Sequence, residues 1–207
     1  MFPSEERTPR MKIEPITLEG EHVRLEALRE SHADALVAVS IGHGLFRFFP
    51  FSLEDEAALR GYVKGAVAAL ANGTLLPFAT IDRATGCVVG STSYLAIDAG
   101  NRRLEIGATW IAPSHQRSAV NTEAKLLQLT HCFEVLGTNR VEFKTDARNA
   151  RSRAALARIG AVEEGIFRAH MVMPDGALRD SVYFSVIASE WPAVKRSLEQ
   201  KLASRAR

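Results

Sequence analysis

The chain has 207 residues, 46% of them hydrophobic and 24% charged, with a formal net charge of +2; this is ordinary composition for one globular domain long enough to bury a sizeable core. So small a charge gives no electrostatic argument for nucleic acid. No run approaches the ~18 apolar residues of a membrane span, and Cys87 and Cys132 are too few for a disulfide framework and read as reduced thiols of a cytoplasmic protein.

In chain order, residues 1–14 are polar, lack the apolar core of a signal peptide, and predict a loose leader ahead of a domain over 15–207. Residues 23–28 alternate as a strand, and 31–40 predict a short helix with Ser31 as cap. A loop with Phe46, Phe48, Phe49 and Phe51 follows, and four phenylalanines so close together suggest core or cleft wall. Ser52-x-x-Asp55 signals a helix start. Leu59, Val63, Ala66, Val67 and Leu70 then recur at helical spacing up to Asn72-Gly73. Two strands, 75–82 and 87–97, flank the turn at 83–86 as a hairpin. A strand over 103–111 alternates, with Leu104, Ile106, Ala108 and Trp110 expected on one face and Glu105, Gly107 and Thr109 on the other.

The strand runs through a polar turn into a helix striped by Leu126, Leu129, Phe133 and Leu136, with Cys132 expected in the core and Gly137 as its stop. Val141, Phe143 and Thr145 alternate in a strand, and 149–159 predict a helix ended by Gly160. Two strands joined by Pro174-Asp175-Gly176 and a helix striped by Trp191, Val194, Leu198 and Leu202 complete the chain. The order β-α-α-β-β-β-α-β-α-β-β-α predicts an α/β (α+β) domain with a mixed, mostly antiparallel sheet flanked by helices. The tail's helical stripes fit packing or a homodimer contact and lack the aromatic interleaving of a nucleic-acid surface.

The junction at 116–121 is the chemical centre of this pattern. A helix N-terminus presents unpaired amides and a dipole that favours an anion. Gln116-Arg117-Ser118-Ala119-Val120-Asn121, followed by Thr122-Glu123-Ala124, resembles the acyl-CoA signature of the GNAT N-acetyltransferases, Q/R-x-x-G-x-G/A, with Ala119 and Asn121 replacing its small residues. Glu105-Ile106-Gly107 on the preceding strand, and Asn149-x-x-Ser152 with Gly160 on the next helix, also resemble that family, in particular its RimJ/RimL type. The likeness covers about residues 15–190.

The resemblance implies a GNAT fold, acetyl-CoA as co-substrate, and direct transfer of an acetyl group to a primary amine of a protein N-terminus, an amino acid or a small amine. It implies that Gln116, Arg117, Ser118, Ala119, Val120 and Asn121 hold the diphosphate, and that Asn149 bonds the pantetheine. A strand amide near Trp110 or Ile111 would polarise the thioester carbonyl. Ala119 can keep a negative φ, so the amides can still converge, while Asn121 can cap, adopt the left-handed conformation or meet the phosphate.

An α-amine of pKa ~8 is neutral about one time in ten at pH 7, whereas a lysine amine needs much more help from a base. Glu105 is the candidate base. Ser152 is the candidate acid, because the position where the family often carries a tyrosine is Leu156. His170 is a further candidate for the acceptor cleft, His115 for a phosphate contact, and the basic residues at 140–158 for the CoA 3′-phosphate. No metal-ligand spacing is present among the histidines. The alternative reading is a protein of the same fold that binds acyl-CoA without turnover.

Overall fold

Eight strands and five α-helices account for most of residues 11–204, which the computed structural model describes. The strands are β1 (Leu18–Glu19), β2 (Val23–Ala27), β3 (Leu76–Asp82), β4 (Val88–Asp98), β5 (Arg103–Ile111), β6 (Arg140–Asp146), β7 (Val162–Val172) and β8 (Leu178–Ile187). The helices are α1 (Ala33–Ser40), α2 (Glu56–Ala71), α3 (Val120–Thr130), α4 (Ala150–Arg158) and α5 (Trp191–Ala203). The predicted order holds with the two-residue β1 added in front. Met11 is 6% exposed within the core, and Ile13 packs against it. The described part of the expected loose leader is therefore docked, because its apolar side chains find the sheet; residues 1–10 lie outside the described residues. No helix among the described residues is long and apolar enough to cross a membrane.

The sheet runs β1-β2-β3-β4-β5-β6-β8-β7, antiparallel except where β5 meets β6. That parallel pair is short. Arg103, Leu104 and Glu105 face Arg140, Val141 and Glu142, after which β5 continues to Ile111 and β6 to Asp146 without pairing to each other. A parallel crossover needs a helix, and α3 supplies it. The strands therefore part on the side where β5 delivers the chain into α3.

Two apolar clusters cover the two faces. Leu104, Ile106, Val141, Phe143, Val182 and Phe184 pack with Ala124 and Leu129 of α3 and Leu198 of α5. Leu28, Leu36, Leu59, Val63 and Ala79 pack with Phe46 and Trp110 on the face that carries α1 and α2. Trp110 is a correction to the alternation, which placed it with Leu104 and Ile106. A bulge intervenes: Ser91 faces Trp110 but Ser93 faces Gly107, so β5 holds one extra residue, and Ala108 takes a left-handed φ of 45°. The extra residue turns Trp110 to the other face, where its indole donates to Ser40 Oγ at 3.0 Å.

Two predicted caps also move by a few residues. Asp55, not Ser52, caps α2, accepting from the Ala58 amide at 2.8 Å. A 3-10 turn over Glu30–His32 precedes α1, so Ser31 lies inside that turn and caps nothing. Asn149 caps α4 through the Ser152 amide at 3.0 Å. Cys132 is fully buried, as its helical stripe predicts.

Glu123 ties α3 to the edge of the sheet. Its carboxylate accepts from the amides of Glu21, His22 and Val23 at 2.9, 2.6 and 2.7 Å, and it is 6% exposed. The approach is so close that a Cβ on Gly20 would lie 2.4 Å from the carboxyl carbon. Removing the acceptor strands three amides in a part-buried turn. Glu123→Ala is expected to destabilise the fold by about 3 kcal/mol or more, read from the midpoint of urea unfolding; a change below 0.5 kcal/mol would contradict this tie.

Candidate active site

The parted strands leave main-chain groups of β5 without a strand partner. The Ala112 amide donates to Val89 of β4 at 2.7 Å. Groups alternate sides along a strand, so the amide and carbonyl of Ile111 turn away from β4, toward the gap. Gln116 Nε2 donates to that carbonyl at 2.9 Å, and its Oε1 accepts from Arg151 of α4 at 2.9 Å. The glutamine predicted to hold a phosphate thus spans the mouth of the gap.

The rest of the loop is wound in a way the sequence did not show. A 3-10 turn over Pro113–His115 leads to Arg117, whose φ of 63° supplies the left-handed residue. Ser118 Oγ donates to the His115 carbonyl and accepts from the Val120 amide, so its hydroxyl is engaged in the turn. Ala119 keeps a φ of −67° and stands at the N-cap of α3 without a side-chain cap bond. Asn121 is neither a cap nor left-handed, because α3 begins one residue earlier; it is the helix's second residue, and its Oδ1 is buried without a partner. The amides of Ser118, Ala119, Asn121 and Thr122 make no hydrogen bond among the described residues, which fits the chemistry of a diphosphate.

Asn149 spends its Oδ1 on the α4 cap, which leaves its amide NH2 for a ligand. Ser152 on α4 is half-buried, and its hydroxyl makes no hydrogen bond among the described residues. Leu156 packs against the core. The basic residues at 140–158 are engaged within the fold. Arg140 pairs with Glu142 and Glu164, Lys144 with Glu105, Arg148 with Asp146 and Arg153 with Glu163; Arg151 reaches Gln116 and Arg158 reaches Thr122. His115 bonds Ser114 and approaches Asp82, bracing the loop to the β3–β4 turn.

On the face away from α3, Glu105 sits at the last paired position of β5 and is 5% exposed. Burial pushes its carboxyl up, while Lys144, whose Nζ is 3.2 Å from Oε2, holds it down. Gly107 makes room for that side chain: a Cβ there would lie 2.8 Å from Glu105 Oε1. Glu105, Lys144 and Tyr183 line a cavity of about 400 Å³. A second cavity, of about 530 Å³, lies between the Phe-rich loop and the β7–β8 hairpin, walled by Phe46, Phe48, Phe49, Arg148 and Met173. Phe46 and Phe49 pack edge-on to Trp110 at 5.4 and 6.0 Å, so the loop is both core and cleft wall. His170 bonds Ser181 at 3.0 Å and packs on Phe167 and Tyr183, beside the smaller cavity.

Several polar groups of the site escaped the sequence reading. Lys144 and Tyr183 are neighbours in the β6–β8 register. The signal for both was alternation: Lys144 stands between Phe143 and Thr145, and Arg179, Ser181, Tyr183 and Ser185 interleave with Val182, Phe184 and Val186.

The architecture is that of an acyl-CoA-dependent acetyltransferase domain, and the chain belongs to the GNAT family: the acetyltransferase (GNAT) domain matches residues 22–162. A GCN5-related N-acetyltransferase from Brucella melitensis superposes with a TM-score of 0.87 at 37% identity, over 95% of this chain and 90% of that one. RimJ of Mycobacterium smegmatis, solved with CoA-disulfide, superposes at 0.78 with 26% identity, over 92% and 96% of the two chains, consistent with the RimJ/RimL type. YdaF of Bacillus subtilis (strain 168), provisionally named a ribosomal N-acetyltransferase, is 36% identical over 110 residues, 53% of this chain. The chain spans 59% and 58% of the lengths of the two curated relatives it matches.

Lys125 braces the bulge from behind. It is 4% exposed, and its Nζ reaches Thr92 of β4 at 3.1 Å, Thr109 of β5 at 3.2 Å and Gln128 at 2.8 Å. It has no carboxylate within ion-pair distance among the described residues, and burial pulls its ammonium down to about 7. The unfolded chain therefore binds the extra proton between pH 7 and about 10.5, so this contribution favours folding increasingly as pH rises. The stability of the parent relative to Lys125→Met is expected to climb between pH 7 and 9.5, by up to about 1.4 kcal/mol per pH unit. A flat difference in urea unfolding across that range would contradict the assignment.

Proposed function

We propose that the protein is an acetyl-CoA-dependent N-acetyltransferase that moves an acetyl group to a primary amine by direct attack within a ternary complex. The observation that carries this reading is that one parting of the sheet has a buried carboxylate, Glu105, where β5 last pairs with β6, and the unpaired Ile111 amide and the open N-terminus of α3 at its mouth.

Acetyl-CoA supplies an acyl group activated as a thioester. The amides of Ser118, Ala119, Asn121 and Thr122 would hold its diphosphate and Asn149 its pantetheine arm, with Gln116 and Arg117 fixing the loop that presents them. The Ile111 amide would stabilise negative charge developing on the carbonyl oxygen. Trp110 acts through its packing, since its indole is committed to Ser40. Glu105 accepts a proton from the amine, directly or through water; burial that raises its pKa makes it a better base than an exposed carboxylate. Ser152, whose hydroxyl makes no hydrogen bond among the described residues, would bond the leaving sulfur and relay to it a proton that the amine gives up. The acceptor reaches Glu105 from the face that bears the two cavities, and it is a protein N-terminus, an amino acid or a small amine.

Thiol release from acetyl-CoA, followed with a panel of amines, separates transfer from mere binding. At least one amine is expected to support turnover, and saturable CoA binding without any release would favour the non-catalytic reading. With an active amine, kcat/KM should fall toward low pH as Glu105 protonates. That acidic limb should disappear in Glu105→Gln and move to higher pH in Lys144→Met, which removes the cation holding the carboxyl down. An acidic limb unchanged in Glu105→Gln would remove Glu105 as the base.

A further inference from the structure

Arg179 is a buried cation whose charge the fold leaves largely uncompensated. It lies on β8 and is 4% exposed. Its Nη1 donates to the Phe48 carbonyl at 3.1 Å, while Nε is buried with no partner. No carboxylate stands within ion-pair distance of it among the described residues. The nearby acids are already taken. Both oxygens of Asp146 accept from the Arg148 guanidinium at 2.8–3.0 Å, and Glu105 Oε2 is held by Lys144. Burial pulls the Arg179 guanidinium down, although Asp146 and Glu105 both act on it through space. A guanidinium offers five donors in a fixed fork that matches a carboxylate, and leaving one buried and unpaired is costly.

Its place in the fold says what would complete it. Arg179, Ser181 and Tyr183 share the face of β8 opposite the core residues Val182 and Phe184, and Tyr183 neighbours Lys144, the partner of Glu105. The contact with Phe48 places Arg179 beneath the Phe-rich loop, which walls the larger cavity. Arg179 thus lies four residues along β8 from Tyr183, which pairs in register with Lys144 of β6, the partner of Glu105.

We propose that Arg179 anchors a carboxylate of the acceptor, so that the acceptor class is an amine that itself carries a carboxylate, such as an amino acid or a short acidic peptide. This rests on the acetyltransferase reading. The amine goes to Glu105 and the carboxylate fills the guanidinium fork, which selects acids over the corresponding amides in the way a buried polar group rejects a ligand that leaves it unpaired.

The test measures thiol release from acetyl-CoA by the full chain with the twenty free amino acids and their C-terminal amides, and with dipeptides ending in glutamate or glutamine. At least one acid is expected to exceed its matched amide tenfold or more in kcat/KM. In Arg179→Met that acid should lose about a hundredfold, mainly as a rise in KM, while the amide changes less than threefold; Arg179→Lys should recover part of the loss. Equal rates for every acid and amide pair in the parent would overturn the inference without any variant, and would leave the transferase reading standing. So would an Arg179→Met enzyme, shown folded by its unfolding midpoint, that loses acid and amide alike. Absence of thiol release with every amine would overturn both readings together.

Discussion

The parting of β5 from β6 is the constraint on which the rest of the structure depends. Two parallel strands that pair over three residues and then separate leave the main-chain groups of Ile111 turned toward a gap instead of a neighbour. Unpaired main-chain groups inside a protein are costly and must be met by something. Gln116 meets the carbonyl, while the amide turns away from β4 into the gap. The same separation sends the chain from the end of β5 directly into α3, so the open amides of a helix N-terminus stand at the mouth of the gap. A carboxylate at the last paired position completes the arrangement, because Glu105 is where the sheet stops closing.

Keeping the strands apart requires polar groups in places usually given to apolar ones. α3 buries Glu123, Lys125 and Gln128 as well as Ala124 and Leu129. Glu123 locks the helix to the β1–β2 turn, and Lys125 bridges the two threonines that flank the bulge in β5. The bulge in turn sends Trp110 into the aromatic cluster under α1 and α2. The strand therefore serves two cores, with Leu104 and Ile106 on one side and Trp110 on the other. Strain at Ala108 is held by these contacts on both faces.

Much of this was legible in the sequence where a local rule governs. The element order and the alternation that sets Glu105 on the face opposite Leu104 and Ile106 follow from spacing alone. The resemblance carried by Glu105-Ile106-Gly107 and Asn149-x-x-Ser152 led to the family whose domain matches residues 22–162. What could not be read depends on contacts distant in sequence. The alternation of β5 breaks at Ala108 because of β4, and no residue in the strand announces it. Asn121 looked like a cap because the helix start was misplaced by the turn at Arg117. Ser118 was expected at the diphosphate, and its hydroxyl is engaged locally with His115 and Val120. Nothing local in the sequence marks Lys125 or Arg179 as interior; the packing of α3 and the sheet buries both.

The central claim is that the gap beside β5 and the N-terminus of α3 form one acyl-CoA site. The most direct measurement is a backbone amide spectrum of the labelled protein titrated with acetyl-CoA. The amides of Ile111, Ser118, Ala119, Asn121 and Thr122 should shift together along one saturable curve and exchange more slowly when bound, while those of the outer strand β7 stay in place. Saturable shifts confined to other surfaces, with Ile111 and the start of α3 unmoved, would contradict it.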